Sequence, residues 1–121
     1  EMLRSLVGSE MCIRDSVELV RKELGTEFDM IVHEPDGILE IGQAGHSKAS
    51  GIERLCASLG IAKEDTYAFG DSANDVEMLE FVAHGIAMGN GTDVAKNAAE
   101  FVTTDIHKDG IWNGLKHYGL I

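Results

Sequence analysis

Apolar and polar positions follow two different rhythms along this chain, and the change comes at Gly45. Before it, VELVRKEL sets apolar residues at 17, 20 and 24 and then meets Gly25, which predicts a short helix with a glycine stop. FDMIVHE reads as a strand, Pro35-Asp36-Gly37 supplies turn chemistry, and ILEIG reads as the second strand of a hairpin. After Gly45 the helical period takes over: SKASGIERLCASLG places Ile52, Leu55, Cys56 and Leu59 on one face and ends at Gly60. TYAFG is then a short apolar strand, NDVEMLEFVA a helix, GIAMG a strand, TDVAKNAAE a helix, FVT a strand and DGIWNGLKHYG a closing helix. Short apolar strands alternating with amphipathic helices predict an α/β fold with a parallel sheet wrapped by helices.

The first sixteen residues, EMLRSLVGSEMCIRDS, hold no sustained period, because Gly8 and Ser9 interrupt the one helical turn that Met2, Leu3, Leu6 and Val7 could make. They resemble translated sequencing-adapter read-through, and the expectation is that residues 1–16 are a non-native leader rather than a frayed natural terminus.

Composition narrows the classes of function. With 121 residues, 44% of them apolar and 26% charged, the chain has the size of one domain or part of one. Twenty-one acidic residues against ten basic ones give a net charge of −11, which repels a phosphate backbone and argues against nucleic acid as a partner. A small phosphorylated metabolite stays compatible with that charge, because one lysine and a divalent cation reverse the field inside a cleft. Cys12 and Cys56 have neither zinc-ligand nor disulfide-framework spacing, which suits a reducing, cytoplasmic setting. No run approaches the roughly 20 apolar residues that cross a bilayer, so no membrane partner is expected.

The chemistry concentrates in GDSANDVEML. Ligands of an open α/β sheet sit beyond the carboxyl ends of its strands, and Gly70-Asp71 ends TYAF. If the next helix starts near Ser72 or Ala73, Asp75 lies one turn on and its carboxylate points back to the same pocket. Two carboxylates with waters and a substrate phosphate suit Mg²⁺, and Asn74 adds an amide beside them. The competing reading is structural, since Asp or Ser is a common N-cap and a first-turn Asp is favoured by the helix dipole. Lys48 opens the preceding helix, from which its ammonium can reach the same sheet edge as a point charge, or stay solvated. In AMGNGTDV, Gly89, Asn90 and Gly91 offer either N–H groups to an anion or a tight turn capped by Thr92 or Asp93, and the turn is favoured. The five histidines, at 33, 46, 84, 107 and 117, are dispersed and default to surface or packing roles, and Trp112 and Tyr118 are expected in the core.

Taken in order, SKASGIERL, GDSANDVEML and GIAMGNGTDVAKNAAEFVT resemble the haloacid dehalogenase superfamily in its Cof-type (subfamily IIB) sugar-phosphatase-like branch, over about Ile38 to Tyr118. The resemblance implies a Rossmann-like core preceded by a substrate-selecting cap. It also implies a Mg²⁺-dependent phosphatase in which an aspartate attacks a phosphomonoester, becomes an aspartyl phosphate and is hydrolysed with help from a second aspartate two residues later. Carried onto this sequence, Asp71 matches the metal-binding acid and Asp75 its partner, holding the metal or a bound water. Asn74 matches the amide near the phosphate, and Lys48 the lysine that steadies nucleophile and phosphoryl charge. The family's paired-aspartate nucleophile motif has no counterpart, since no two aspartates here are separated by one residue.

The expectation is therefore a C-terminal piece of a longer enzyme. Residues 17–43 would be the end of an α+β cap and 44–121 the later part of the catalytic core, without its N-terminal strands. Such a piece is expected to be inactive and to self-associate through an exposed sheet edge. Its parent would hydrolyse small phosphorylated metabolites, sugar phosphates foremost. Two other readings compete: a non-catalytic module that binds Mg²⁺ or phosphate, and the phosphorylation domain of an ion-pumping ATPase, which shares the acid pattern but calls for flanking membrane helices.

Overall fold

A computed structural model of the protein describes residues 10–33 and 38–121. The chain divides into two compact units, one ending at His46 and one running from Ser47 to Ile121. The first unit holds helix α1, Glu10–Leu24, and an antiparallel pair, β1 (Phe28–His33) and β2 (Ile38–Gln43), in which Met30 faces Ile41 and Val32 faces Leu39. Helix α1 thus begins seven residues before the Val17 start that the apolar spacing suggested, and takes in part of the supposed leader. The remaining leader residues, 1–9, and the Pro35-Asp36-Gly37 turn lie outside the described residues.

The second unit alternates helix and strand as its periodicity requires. Helix α2 (Lys48–Leu59) is bounded by local chemistry at both ends. At its start, the Ser47 hydroxyl accepts from Ser50 N–H while the Ser50 hydroxyl accepts from Ser47 N–H; at its end, Gly60 takes a left-handed conformation. Three parallel strands follow, β3 (Tyr67–Gly70), β4 (His84–Ala87) and β5 (Phe101–Val102), ordered β3-β4-β5. Between and after them come α3 (Val76–Phe81), α4 (Asp93–Ala98) and α5 (Gly110–His117).

Helices α3 and α4 are shorter than their apolar patterns suggested, because the backbone is drawn into the sheet before each pattern ends. Val82 is already extended, and the next residue, Ala83, donates its N–H to the Thr66 hydroxyl at 3.1 Å. Ala99 is likewise extended, so that Glu100 N–H reaches Gly85 O at 2.9 Å.

The core lies where α3 and α4 cover the sheet: Leu79, Val82, Ile86, Ala87, Met88 and Ala95 are buried, Ile86, Ala87 and Ala95 completely. The strand starts are pinned to the end of α5 by stacked rings. Tyr67 lies on His84 at 4.6 Å and Phe101 on His117 at 3.9 Å, while the Tyr118 hydroxyl donates to Glu100 at 3.0 Å. Partial burial and that carboxylate push the Tyr118 phenol up to about 12.

Of the two rings expected in the core, Tyr118 is half-buried and Trp112 lies outside it. Trp112 is 52% exposed, and the Lys116 ammonium sits 4.7 Å from its ring centre, so a cation held one turn along the helix covers the indole in place of the core. On α2, Ile52 and Cys56 are half-buried but Leu55 and Leu59 are 57% and 63% exposed, because α3 meets only one side of that apolar stripe.

These burials set a test. Ile86→Ala should lower unfolding stability by about 2–5 kcal/mol, or prevent folding, whereas Leu55→Ala should cost well under about 1 kcal/mol. Urea unfolding followed by circular dichroism reads both; equal losses would mean that the core lies elsewhere.

Candidate functional site

At the carboxyl end of β3 the chain runs into a turn of unusual closeness. A Cβ at Gly70 would lie 2.6 Å from Asp75 Cβ and 3.1 Å from Leu79 Cδ1, so only glycine lets the Asp75 side chain fold back over the strand end. Residues Ala73–Asp75 make a single 3₁₀ turn before α3. Through it the Asp75 carboxylate returns to the turn's own start, Oδ2 accepting from Asp71 N–H at 2.9 Å and from Ser72 N–H at 3.2 Å. The other oxygen, Oδ1, accepts from the Lys48 ammonium at 2.5 Å, a contact across 27 residues. The helix-start reading of this acid is thus realised, and the same side chain also meets Lys48.

The electrostatics follow from that geometry. Asp75 is only 6% exposed. Burial works to raise its pKa but is outweighed by the hydrogen bonds from the Lys48 ammonium and the Asp71 and Ser72 N–H groups, so the carboxyl ends below its ordinary value. Asp75 is thus held as a carboxylate, and Lys48, its side chain about half exposed, keeps part of its charge available to the cleft.

Asp71 is exposed beside this pair. Its carbonyl accepts from Thr92 N–H at 2.8 Å, which ties the strand end to the loop after β4. Asn74 takes the Ser72 hydroxyl on its Oδ1. Lys48, Asp71, Ser72, Asn74 and Asp75 line one open cleft of about 370 Å³ together with the apolar Phe69, Met88, Ile106 and Ile111. All four residues expected from the sequence to share a site are brought together.

The donor set bears on which cation could enter. Among the described residues no three Asp, Glu, His or Cys side chains cluster as a metal cage. The cleft offers two carboxylates, one exposed and one already engaged by three donors. That fits an ion which keeps most of its waters and takes a substrate oxygen, as Mg²⁺ does, and not one that demands a full protein cage.

The loop at Gly89-Asn90-Gly91 is the tight turn and not an anion nest. Gly89 N–H goes to Thr104 O and Gly91 N–H to Met88 O, and the Thr92 side chain caps α4 by accepting from Ala95 N–H. Three contributors escaped the sequence reading as site residues, Ser72, Ile106 and Ile111. Ser72 lies inside the quoted motif, and its neighbourhood to Asn74 was a usable signal. Ile106 and Ile111 come from a segment more than thirty residues away, and no local pattern marks an apolar cleft wall closed over that distance.

A family model described as haloacid dehalogenase-like hydrolase matches residues 8–115. The sequence is 54% identical over 78 residues to a Geobacillus stearothermophilus protein named from the pdhA 5′ region, covering 64% of this chain and 82% of that one. It is 42% identical over 84 residues to the 5-amino-6-(5-phospho-D-ribitylamino)uracil phosphatase YitU of Bacillus subtilis (strain 168), covering 69% of this chain and 31% of the relative. Among solved structures, the HAD subclass IIB sugar phosphatase BT4131 superposes with a TM-score of 0.77 at 33% identity, covering 89% of this chain and 41% of that one. The chain therefore spans 31% and 41% of the lengths of these two phosphatases.

The lowered Asp75 pKa makes a pH prediction with a definite sign. A carboxyl whose folded pKa is depressed contributes stability above its unfolded value, about 4, and loses it as pH falls through the lower folded value. Unfolding stability should therefore decline as pH drops below about 4, and Asp75→Asn should flatten that decline while lowering stability at neutral pH by about 1–3 kcal/mol. An unchanged acid slope in the variant would refute the assignment.

Proposed function

The chain belongs to the haloacid dehalogenase-like hydrolase family, and from that premise we propose that it carries the lysine- and metal-bearing part of a Mg²⁺-dependent phosphatase for small phosphorylated metabolites. The observation that carries this reading is the Lys48–Asp75 pair, closed at 2.5 Å across 27 residues beside the exposed Asp71. A cation, an engaged acid and an available acid converge on one strand end, the arrangement that phosphoryl charge requires.

Each residue has a separable task. Asp71 would hold Mg²⁺ through its exposed carboxylate, and Asp75, both of whose oxygens are engaged, would act on the ion through a bound water. When bound, the ion neutralises charge on transferring phosphoryl oxygens. Lys48 presents its ammonium to the same oxygens while Asp75 holds it in place. Asn74 orients the phosphoryl group through its amide, whose Oδ1 the Ser72 hydroxyl engages.

The nucleophilic aspartate, which would form and release an aspartyl phosphate, belongs in this reading to a part of the protein outside these 121 residues. The isolated chain is accordingly read as inactive. β3 has a strand partner on one side only among the described residues, and the reading expects self-association along its open edge.

For substrate, the reading favours sugar phosphates or similar polyol phosphates. The similar YitU protein is named for a phosphorylated ribityl compound and BT4131 as a sugar phosphatase. A cytoplasmic setting is part of the proposal and rests on two cysteines without disulfide-framework spacing. The ATPase alternative calls for membrane helices flanking the domain; among the described residues no helix is long and apolar enough to cross a membrane.

Phosphate release from a panel of sugar phosphates, by the longest reading frame that contains this segment, tests the proposal. Turnover should require Mg²⁺ and stop with a chelator, and Lys48→Ala or Asp71→Ala should each lower kcat by about 100-fold or more. Metal-independent turnover, or full activity in either variant, would contradict it. Mg²⁺ binding with no turnover of any phosphate ester would favour the non-catalytic module.

A further inference from the structure

The loop between β4 and α4 holds two things at once. On one side Thr92 N–H donates to Asp71 O at 2.8 Å, so the loop braces the backbone of the exposed acid. On the other, Gly89 N–H donates to Thr104 O at 3.1 Å, and Asn90 Oδ1 accepts from Ile106 N–H at 2.9 Å. The Ile106–Lys108 turn is itself stiff: the Asp105 carboxylate caps His107 N–H at 2.8 Å, and the Thr104 hydroxyl donates to Lys108 O at 2.9 Å. A rigid turn still needs something to fix where it stands, and Asn90 is the side chain that reaches it from the loop.

What stands there is Ile106, 48% exposed and lining the cleft that Lys48 and Asp71 also line. The cleft thus carries two chemistries. Lys48 and Asp71 are charged and suit a phosphoryl group; Ile106 exposes branched aliphatic carbon, which gains from contact with an apolar surface and nothing from a free anion.

We propose that Asn90 is a positioning residue for ligand selection, holding Ile106 as an apolar wall against which the carbon portion of a phosphomonoester packs once its phosphoryl group is at Lys48 and Asp71. The ligand class is a phosphate monoester whose first carbons present a continuous C–H or ring face. This rests on the phosphoryl-binding reading of the same cleft and goes beyond it by naming the residues that distinguish an ester from inorganic phosphate.

The test compares two probes on the ¹⁵N-labelled chain in the presence of Mg²⁺, inorganic phosphate and phenyl phosphate, by NMR titration. The readout is the ratio of their affinities, which cancels changes common to the phosphoryl site. The wild type should favour phenyl phosphate by roughly fivefold, as expected for sheltering part of one ring face, with the Ile106 amide among the signals that shift. Asn90→Ala and Ile106→Ala should each bring the ratio close to unity. The double variant should show no further change, because the two residues act through one contact. Unmoved Ile86 and Ala87 amides show that the fold persists in each variant.

A ratio unaffected by Asn90→Ala, or losses that compound in the double variant, would overturn the proposal. If the wild type binds inorganic phosphate without preferring the ester, this inference fails and the phosphoryl reading stands. If it binds neither probe, both fail.

Discussion

The site depends on one carboxylate with more than one obligation. Asp75 closes the turn after β3 by accepting two backbone N–H groups and, with its other oxygen, anchors the Lys48 ammonium. Removing either set of partners from a buried acid would leave a charge short of compensation, which costs far more than a surface ion pair contributes. The same contact therefore specifies the local fold and the charge pattern of the cleft. Gly70 is the permissive partner in this arrangement, since any side chain there would occupy the space that Asp75 needs.

From that constraint the rest of the site follows outward. With the turn closed, Asp71 is left exposed at the strand end, its carbonyl tied to Thr92 and its carboxylate available to the cleft. The loop that supplies Thr92 also supplies Asn90, so one short segment braces the acid and locates Ile106. A site built on strand ends and tight turns holds its charges in place before a ligand arrives, which is the condition under which electrostatic stabilisation is effective.

Much of this could be read from the sequence because its signals are local. Ser47, Gly60 and Thr92 mark helix ends by side-chain or left-handed capping, and the strands TYAF and GIA stand out as short apolar runs between amphipathic segments. The convergence of Asp71, Asn74 and Asp75 follows from spacing within one turn. What escaped was set by distant parts of the chain. The ends of α3 and α4 are decided by hydrogen bonds from the sheet and its flanks, which no helical period records. Trp112 and the Leu55–Leu59 side of α2 obey an amphipathic pattern yet remain exposed, because a pattern marks a face without supplying the surface that covers it. The apolar lining of the cleft is hidden for the same reason: the segment that carries Ile106 is tied to Asn90, Gly89 and Asn113, each distant from it in sequence or on another element.

Locating a bound divalent ion on the folded chain tests the assignment of the site most directly. With Mn²⁺ in place of Mg²⁺, which prefers the same oxygen donors, paramagnetic broadening in ¹H–¹⁵N spectra maps that position. On a chain of net charge −11 many acids compete for the ion. Asp71, Ser72 and Asn74 should broaden first, and Asp71→Ala should abolish their priority. Broadening spread evenly over the acidic surface, or centred away from the end of β3, would contradict the assignment.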